Sequence, residues 1–558
     1  MHKPIACSIL VLLFCITSSH AQFSKYIIRF RDKAGTPYSI NNPSQYLSAK
    51  SIERRTKQKI TIDQSDLPIT PRYLDSVRLA GNVTILNSSK WLNQVCIFTT
   101  DAAALAKINS FSFIENEQPL MRMRAGHASS NNKFNEQVNT TTTTTAIQQA
   151  NDFYNYGNTF PQIHIHEGEF LHNSGFHGEG MLLAIMDAGF YHYQSISAFD
   201  SVRANHQIAE TYDFVNNETS VDEDHPHGME CFSIIAGNIP GQFVGSCPKA
   251  TFYLYRTEDA ATEFPIEEQN WVAAAERADS IGVDVFSTSL GYTTFDNSIF
   301  DHTYADMNGN TTIIARGCDM AAKKGIISVV AAGNEGTSGW HFIGTPADAD
   351  SCVSVGAVDN TGVPANFSSY GPSSDGQIKP TVASVGLGTA IITPSNVPAF
   401  SNGTSFATPN MAGLITCLWQ AFPDFTNMEI IEAVKRSSSM YTNPDDRIGY
   451  GIPDFHKAFD DLTSKRALRG NILKNDWIKA YPNPFKGNLS VVFNPQNTGS
   501  VSLKLFDASG RLYSTRTINA VSGLPQTVSW HFQPLSKGIY LLEYNDGKTK
   551  RTTRILAQ

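Results

Sequence analysis

A serine at position 405 stands in the run FSNGTSFATPNMAG, Phe400 to Gly413, behind a glycine and a threonine and ahead of an apolar segment. Such residues start helices, because a hydroxyl oxygen accepts from the exposed N–H groups of the first turn. Pro409 fits that first turn, where a missing N–H costs least. A simple cap is therefore one reading of Ser405. The other is a nucleophile: helix N-termini present unpaired N–H groups and favour negative charge, and acyl transfer at a serine needs both. A serine alone is a weak nucleophile, so this second reading demands a base and an orienting acid elsewhere in the chain. AIMDAGF offers Asp187, with Gly189 allowing a sharp exit. HPHGMECFSIIAG offers His225 and His227 ahead of an apolar helical run. VVAAGNEG ends a buried strand on Gly333, Asn334 and Gly336.

The elements that must position these residues have an α/β pattern from about Ala146 to Asp461. MLLAIMDAGF, KATFYLYRT, VDVFSTSLGY, GIISVVAAGN and CVSVGAVD are short apolar strands, each closed by small or turn residues. Helical segments, among them EEQNWVAAAERADSI and GCDMAAKKG, lie between several of them. This alternation predicts a mainly parallel sheet with both faces covered, and sites in such sheets lie at the carboxyl ends of strands. Acid, base, amide and candidate nucleophile all fall at strand ends or helix starts of this one region.

The flanks differ. Residues 22–125 read as a small α+β unit: KYIIRFRD and FIENEQPLMRM are strands, and VTILNSSKWLNQVCIFTT is a hairpin. IERRTKQK, near residue 52, reads as a solvated helical face. Residues 126–150, with an unbroken threonine run from Thr140 to Thr145, are too polar to bury a core and read as an exposed linker. The α/β region spans 151–465. Residues 475–558 are all-β, with LSVVFN, VSLKLFDASGRL, TVSWHF and GIYLLEYNDGKTKRTTRIL as strands of a small sandwich.

Bulk properties narrow the class. The 558 residues carry 43 Lys+Arg against 51 Asp+Glu, a net charge of −8, which disfavours a nucleic-acid partner. MHKPIACSILVLLFCITSSHAQ has the charge, apolar core and small residues of a secretory signal, cut near Ala21 and Gln22; its apolar run is short for a transmembrane helix. Cys7 and Cys15 leave with it. Cys96, Cys231, Cys247, Cys318, Cys352 and Cys417 remain, with no CxxC pair and hence no zinc signature. Export permits disulfides, but spacing does not pair these cysteines. HIHEGEFLH, His164 to His172, lacks the HExxH order, because Phe170 stands fifth; it reads as a surface loop with satisfied histidines.

Four segments together resemble the subtilase family of serine proteases. DAGF resembles its Asp-x-Gly motif, HGMECFSIIAG its histidine motif, AAGNEG the segment of its oxyanion asparagine, and GTSFATPNMAG its Gly-Thr-Ser-[Met/Phe]-Ala-[Thr/Ser]-Pro motif residue by residue. The chain order Asp, His, Ser is the one for which subtilisin is the standard example. The resemblance covers about Phe170 to Asp461. It implies Ser405 as nucleophile, His227 as base, Asp187 as its orienting acid, and Asn334 with the Ser405 backbone N–H as the oxyanion hole. His227 is preferred over His225 because a glycine follows it, as in the motif. For Asn334 a plain turn role stays open.

The chain departs from the family pattern at Ala188, Met229 and Glu230, none of which transfers a proton. Cys231, one helical turn after His227, resembles the branch with a free thiol beneath the catalytic histidine. STSLGY resembles the edge segment that pairs with substrate backbone. Ser289, Leu290 and Gly291 are then one wall of the P1 pocket, Ala332 and Gly333 the other, and Gly344 its floor; no charge appears among them, so an apolar or aromatic P1 residue is expected. The chemistry is expected to need no cofactor or metal, although structural calcium is common in the family.

By position, residues 24–124 resemble a propeptide, with maturation expected within 124–150. AYPNPFKGNLSVVF, LKLFDASGRL and LSKGIYLLEY resemble the type A sorting domain of type IX secretion cargo, which implies secretion machinery as a partner and an extracellular or cell-surface location. A silent adhesin on the same fold is the alternative from another class. An esterase is disfavoured, since no GxSxG surrounds Ser405.

Overall fold

Alternation in FSKYIIRF gives β1 (Phe23–Phe30) two apolar faces, and both are used. Its partners are β2 (Thr84–Ser89), β3 (Gln94–Phe98) and β4 (Ile114–Arg122), in the antiparallel order β2-β3-β1-β4. The computed structural model describes residues 23–122, 134, 152–469, 476–520, 522, 526–532 and 535–558. The expected signal peptide lies outside these residues, as does the expected linker apart from Phe134. Helices α1 (Ala49–Gln58), α2 (Pro71–Arg78) and α3 (Ala102–Asn109) complete the N-terminal unit. One sheet face packs Tyr26, Ile28 and Phe30 with Tyr73, Val77 and Ile108. The other presses Ile27, Cys96 and Leu120 into the core of the α/β unit.

That contact corrects the reading of IERRTKQK as a solvated face. Arg54 and Arg55 of α1 are buried. Arg54 pairs with Asp279 and donates to Lys324 O at 3.1 Å, while Arg55 reaches Asp66 at 2.7 Å and Asp279 at 2.8 Å. Two guanidinium groups leave water here because carboxylates and carbonyls from the neighbouring unit meet them.

The α/β unit follows, with short helices α4 (Phe160–His164), α5 (Gly168–Asn173) and α6 (Asp200–Ala204), longer helices α7 (His227–Ala236), α8 (Ile266–Ile281), α9 (Ile313–Lys323), α10 (Thr404–Ala421), α11 (Asn427–Ser437) and α12 (Phe455–Arg469), and strands β5 to β15. Seven strands form one parallel sheet. They are β5 (Leu182–Asp187), β6 (Ile208–Asp213), β9 (Thr251–Arg256), β10 (Val285–Thr288), β11 (Ile327–Ala331), β12 (Val353–Val358) and β13 (Val382–Val385), in the order β13-β12-β11-β10-β5-β9-β6. From β5 the chain crosses first to the edge strand β6, comes back to β9 beside β5, and then moves to β10 on the other side and builds that way. The β5/β10 junction is thus a topological switch point, where crevices form beyond the strand ends. Two small antiparallel pairs complete the strands, β7 (Asn238–Ile239) with β8 (Phe243–Val244) and β14 (Leu387–Ile392) with β15 (Pro398–Asn402). Separate apolar cores lie on the two faces of the large sheet.

α10 is apolar nearly all round and almost wholly buried, as a helix through the middle of a domain must be. Pro409 lies inside it, one turn beyond the position expected from the sequence. The expected surface loop at 164–172 is also corrected. It holds the end of α4, a turn and most of α5, with His166 in the turn and His172 in α5, both fully buried. Both rings are satisfied, His166 by Pro453 O and Ser384 Oγ at 2.9 Å each, His172 by Tyr156 OH at 2.6 Å and Ser246 O at 3.0 Å. Helical packing against α10 and the sheet, invisible in a short polar stretch, buries them.

Among the described residues the C-terminal unit has seven strands, β16 (Ile478–Tyr481), β17 (Asn488–Phe493), β18 (Gly499–Asp507), β19 (Leu512–Ala520), β20 (Gln526–His531), β21 (Gly538–Asn545) and β22 (Lys550–Ala557). They form two antiparallel sheets, β16-β17-β20 and β19-β18-β21-β22, around their own apolar core.

Candidate active site

β5, LLAIMD, is buried on both faces and delivers Asp187 at the switch point. Ala188 N donates to Asp187 Oδ1 at 2.7 Å, and Thr257 N to Asp187 O at 2.9 Å. The chain then turns at Gly189 with φ +145°, and a Cβ there would lie 2.6 Å from His225 N and 2.7 Å from Asp224 Cβ. Only glycine fits.

His227 is the first residue of α7. Gly228, next in the helix, lets α7 press directly onto the acid: a Cβ at 228 would strike Gly189 O and fall 2.8 Å from Asp187 Cβ. The result is a bond of 2.6 Å between His227 Nδ1 and Asp187 Oδ1. Asp187 is 0% and His227 2% exposed, so the interaction is poorly screened. His225 lies elsewhere, with its Nδ1 accepting from His227 N at 3.3 Å and its ring centroid 6.5 Å from that of His227.

Ser405 is the second residue of α10, so its N–H is one of the unpaired donors of the first turn. The N-cap is Gly403, with no side-chain cap bond; the hydroxyl of Ser405 is not the cap that one sequence reading allowed. Cys231, one turn along α7 from His227, ties the two helices together. Its Sγ donates to Ser405 O at 3.4 Å, and the ligand atoms of Asp187, His227 and Cys231 all lie within 4.8 Å of one another. The Phe406 ring centroid is 5.8 Å from that of His227. The expected acid and base are therefore in direct contact, and the expected nucleophile is on the helix start that packs against them.

Asn334 follows β11. Its Oδ1 accepts from both the N–H and the hydroxyl of Thr404 at 2.9 Å each. This fixes the amide beside Ser405 and turns Nδ2 into the group that could meet an anion. The residues expected around the P1 pocket also converge. Tyr292 N donates to Thr345 O at 2.9 Å and Thr345 N to Tyr292 O at 3.2 Å, which sets Gly291 beside Gly344. A Cβ on Gly333 would lie 3.8 Å from Gly344 N. Leu290 and Ala332 are buried behind these glycines.

Sequence reasoning missed several neighbours. Phe134 is buried with its ring centroid 4.6 Å from His227 and 4.9 Å from His225, although its segment reads as an exposed linker. A lone aromatic inside a polar stretch was the available signal. Ser289 is not simply a pocket wall, because its Oγ donates to Ser405 O at 2.7 Å. Glu258, fully buried, accepts from the Tyr292 hydroxyl, and burial together with that carboxylate pushes the phenol well above its ordinary range.

Residues 178–451 match the Subtilase family, residues 25–142 the Peptidase S8 propeptide domain of Bacteroidota, and residues 479–558 the Secretion system C-terminal sorting domain. Subtilisin NAT of Bacillus subtilis subsp. natto is 28% identical over 277 residues, 49% of this chain and 64% of that protein. Subtilisin of Bacillus pumilus is 28% identical over 286 residues, 50% of this chain and 92% of that one. The chain thus spans less than two thirds of the length of Subtilisin NAT. The crystal structure of MycP1 from Mycobacterium smegmatis aligns over 58% of this chain and 88% of its own, at 21% identity and a TM-score of 0.44. The α/β unit of this chain belongs to the subtilase family, preceded by a Bacteroidota-type S8 propeptide domain and followed by a secretion-system sorting domain.

Proposed function

We propose that the chain is an exported serine endopeptidase made as a zymogen. Ser405 Oγ attacks the scissile carbonyl while His227 Nε2 takes its proton and later returns it to the leaving amine. Asp187 fixes the imidazole through Nδ1 and stabilises the imidazolium. The Asn334 amide and the Ser405 N–H receive the oxyanion, and water then releases the acyl group from Ser405. The observation that carries this reading is the 2.6 Å bond from His227 Nδ1 to Asp187 Oδ1, buried beside the start of α10.

The cleft between 289–291, 332–333 and 344 accepts the P1 side chain. Its near walls are glycine and apolar carbons, which favours apolar or aromatic residues; Glu258 is already engaged by Tyr292. No cofactor or metal takes part in the chemistry, and a structural calcium would act on stability alone. The sorting domain hands the chain to secretion machinery, and among the described residues no helix is long and apolar enough to cross a membrane. Maturation within 124–150 separates the propeptide from a catalytic unit of 151–465, with 475–558 as the sorting unit. Casein hydrolysis by the secreted protein tests the reading: Ser405→Ala should abolish it, and equal hydrolysis by that variant refutes it. Peptide-library profiling checks the P1 preference.

A further inference from the structure

In an α-helix the carbonyl of residue 405 accepts from the N–H of residue 409. Here residue 409 is proline, which has no N–H and whose ring crowds that same carbonyl. A buried carbonyl without a partner costs as much as a lost hydrogen bond. Ser405 O is not left in that state. The Ser289 hydroxyl, 4% exposed and one residue past the end of the β10 ladder, donates to it at 2.7 Å. The Cys231 thiol, reaching across from α7, adds a weaker contact at 3.4 Å.

We propose that Ser289 is a positioning residue for the nucleophile. Its hydroxyl replaces the helical N–H that Pro409 lacks and fixes the Ser405 peptide. The hydroxyl of Ser405 and its oxyanion-binding N–H flank that peptide, so a tilt of the carbonyl swings both away from their aim. Cys231 plays the minor part in the same arrangement. The inference rests on Ser405 being the nucleophile, and it differs from a pocket-wall role for Ser289 in what it predicts. A wall acts on substrate binding; a strut acts on reactivity with any electrophile.

The test uses the full-length chain, secreted and matured, in parent, Ser289→Ala, Ser289→Thr and Ser405→Ala forms. kcat and KM are measured on a fluorogenic peptide with an apolar P1 residue. The rate of covalent labelling by a small fluorophosphonate is measured in parallel, with thermal unfolding as the check on folding. Ser289→Ala should lower kcat and the labelling rate together, each about tenfold, with KM unchanged. Ser289→Thr, which keeps the hydroxyl, should restore most of both. A rise in KM with an unchanged labelling rate overturns the proposal in favour of a wall, and unchanged kcat and labelling rate overturn it outright. Loss of both rates in Ser289→Thr as severe as in Ser289→Ala also counts against it. Retention of activity by Ser405→Ala would instead strike the underlying assignment of the nucleophile.

Discussion

The ring of Phe134 packs against that of His227, with centroids 4.6 Å apart and planes inclined at 46°. Residue 134 falls inside the propeptide match, so the precursor places one of its own aromatic residues on the proposed base. Phe134→Ala should therefore unblock the site in the uncleaved precursor. Aromatic contacts of this kind contribute about 1 kcal/mol beyond area burial, so fluorophosphonate labelling of the precursor should quicken by about fivefold to tenfold. Labelling at the parental rate would show that the contact does not guard the site.

Gly228 has no room for a side chain, since a Cβ would strike Gly189 O and press on Asp187 Cβ at 2.8 Å. Gly228→Ala should push α7 off the strand end and lengthen the bond from His227 to Asp187. An error of about 1 Å in such a contact costs on the order of 10²-fold in rate. The expected outcome is a fall of that size in kcat/KM for protein that is still secreted and folded, as read by circular dichroism.

Arg55 bridges Asp66 of its own unit and Asp279 of α8, with all three side chains buried. Removing one member strands the others, at a cost of about 3–5 kcal/mol. In a Ser405→Ala background, which prevents self-digestion, Arg55→Ala should lower the unfolding midpoint of the precursor and weaken retention of the N-terminal unit. Arg55→Lys should repair it only in part, because one ammonium does not match two carboxylates at once.

Asp348 is fully buried, and burial pushes its carboxyl up to about 6. The native state thus binds the proton more tightly than the unfolded chain does. Its contribution to stability is greatest below the ordinary carboxylate range and is lost as pH rises to about 6 and beyond. Two pH units of difference correspond to about 3 kcal/mol. Asp348→Asn, again in the Ser405→Ala background, should show little advantage near pH 4 and a clear one at pH 7 in denaturant midpoints. An advantage of equal size at both values would contradict this.

The sequence made the proposed machinery legible because each part sits at a punctuation mark. Asp187 ends a continuous apolar strand, His227 and Ser405 begin apolar helices, and the glycines at 189 and 228 are demanded by contacts a Cβ would break. What stayed hidden depends on residues far apart in the chain. Arg54 and Arg55 look solvated until Asp279, more than two hundred positions away, arrives as counter-charge. His166 and His172 look like exposed residues until α4 and α5 pack onto the core. Pro409 looks like a first-turn residue, because propensity does not reveal that α10 begins at Thr404 and that a serine from β10's end satisfies the carbonyl beneath it.

The most direct test is site-resolved labelling. Matured enzyme treated with a fluorophosphonate, digested and sequenced by mass spectrometry should carry the adduct on Ser405, and His227→Ala should lose the labelling along with proteolysis. An adduct on another serine, or undiminished Ser405 labelling in His227→Ala, would contradict the proposed machinery.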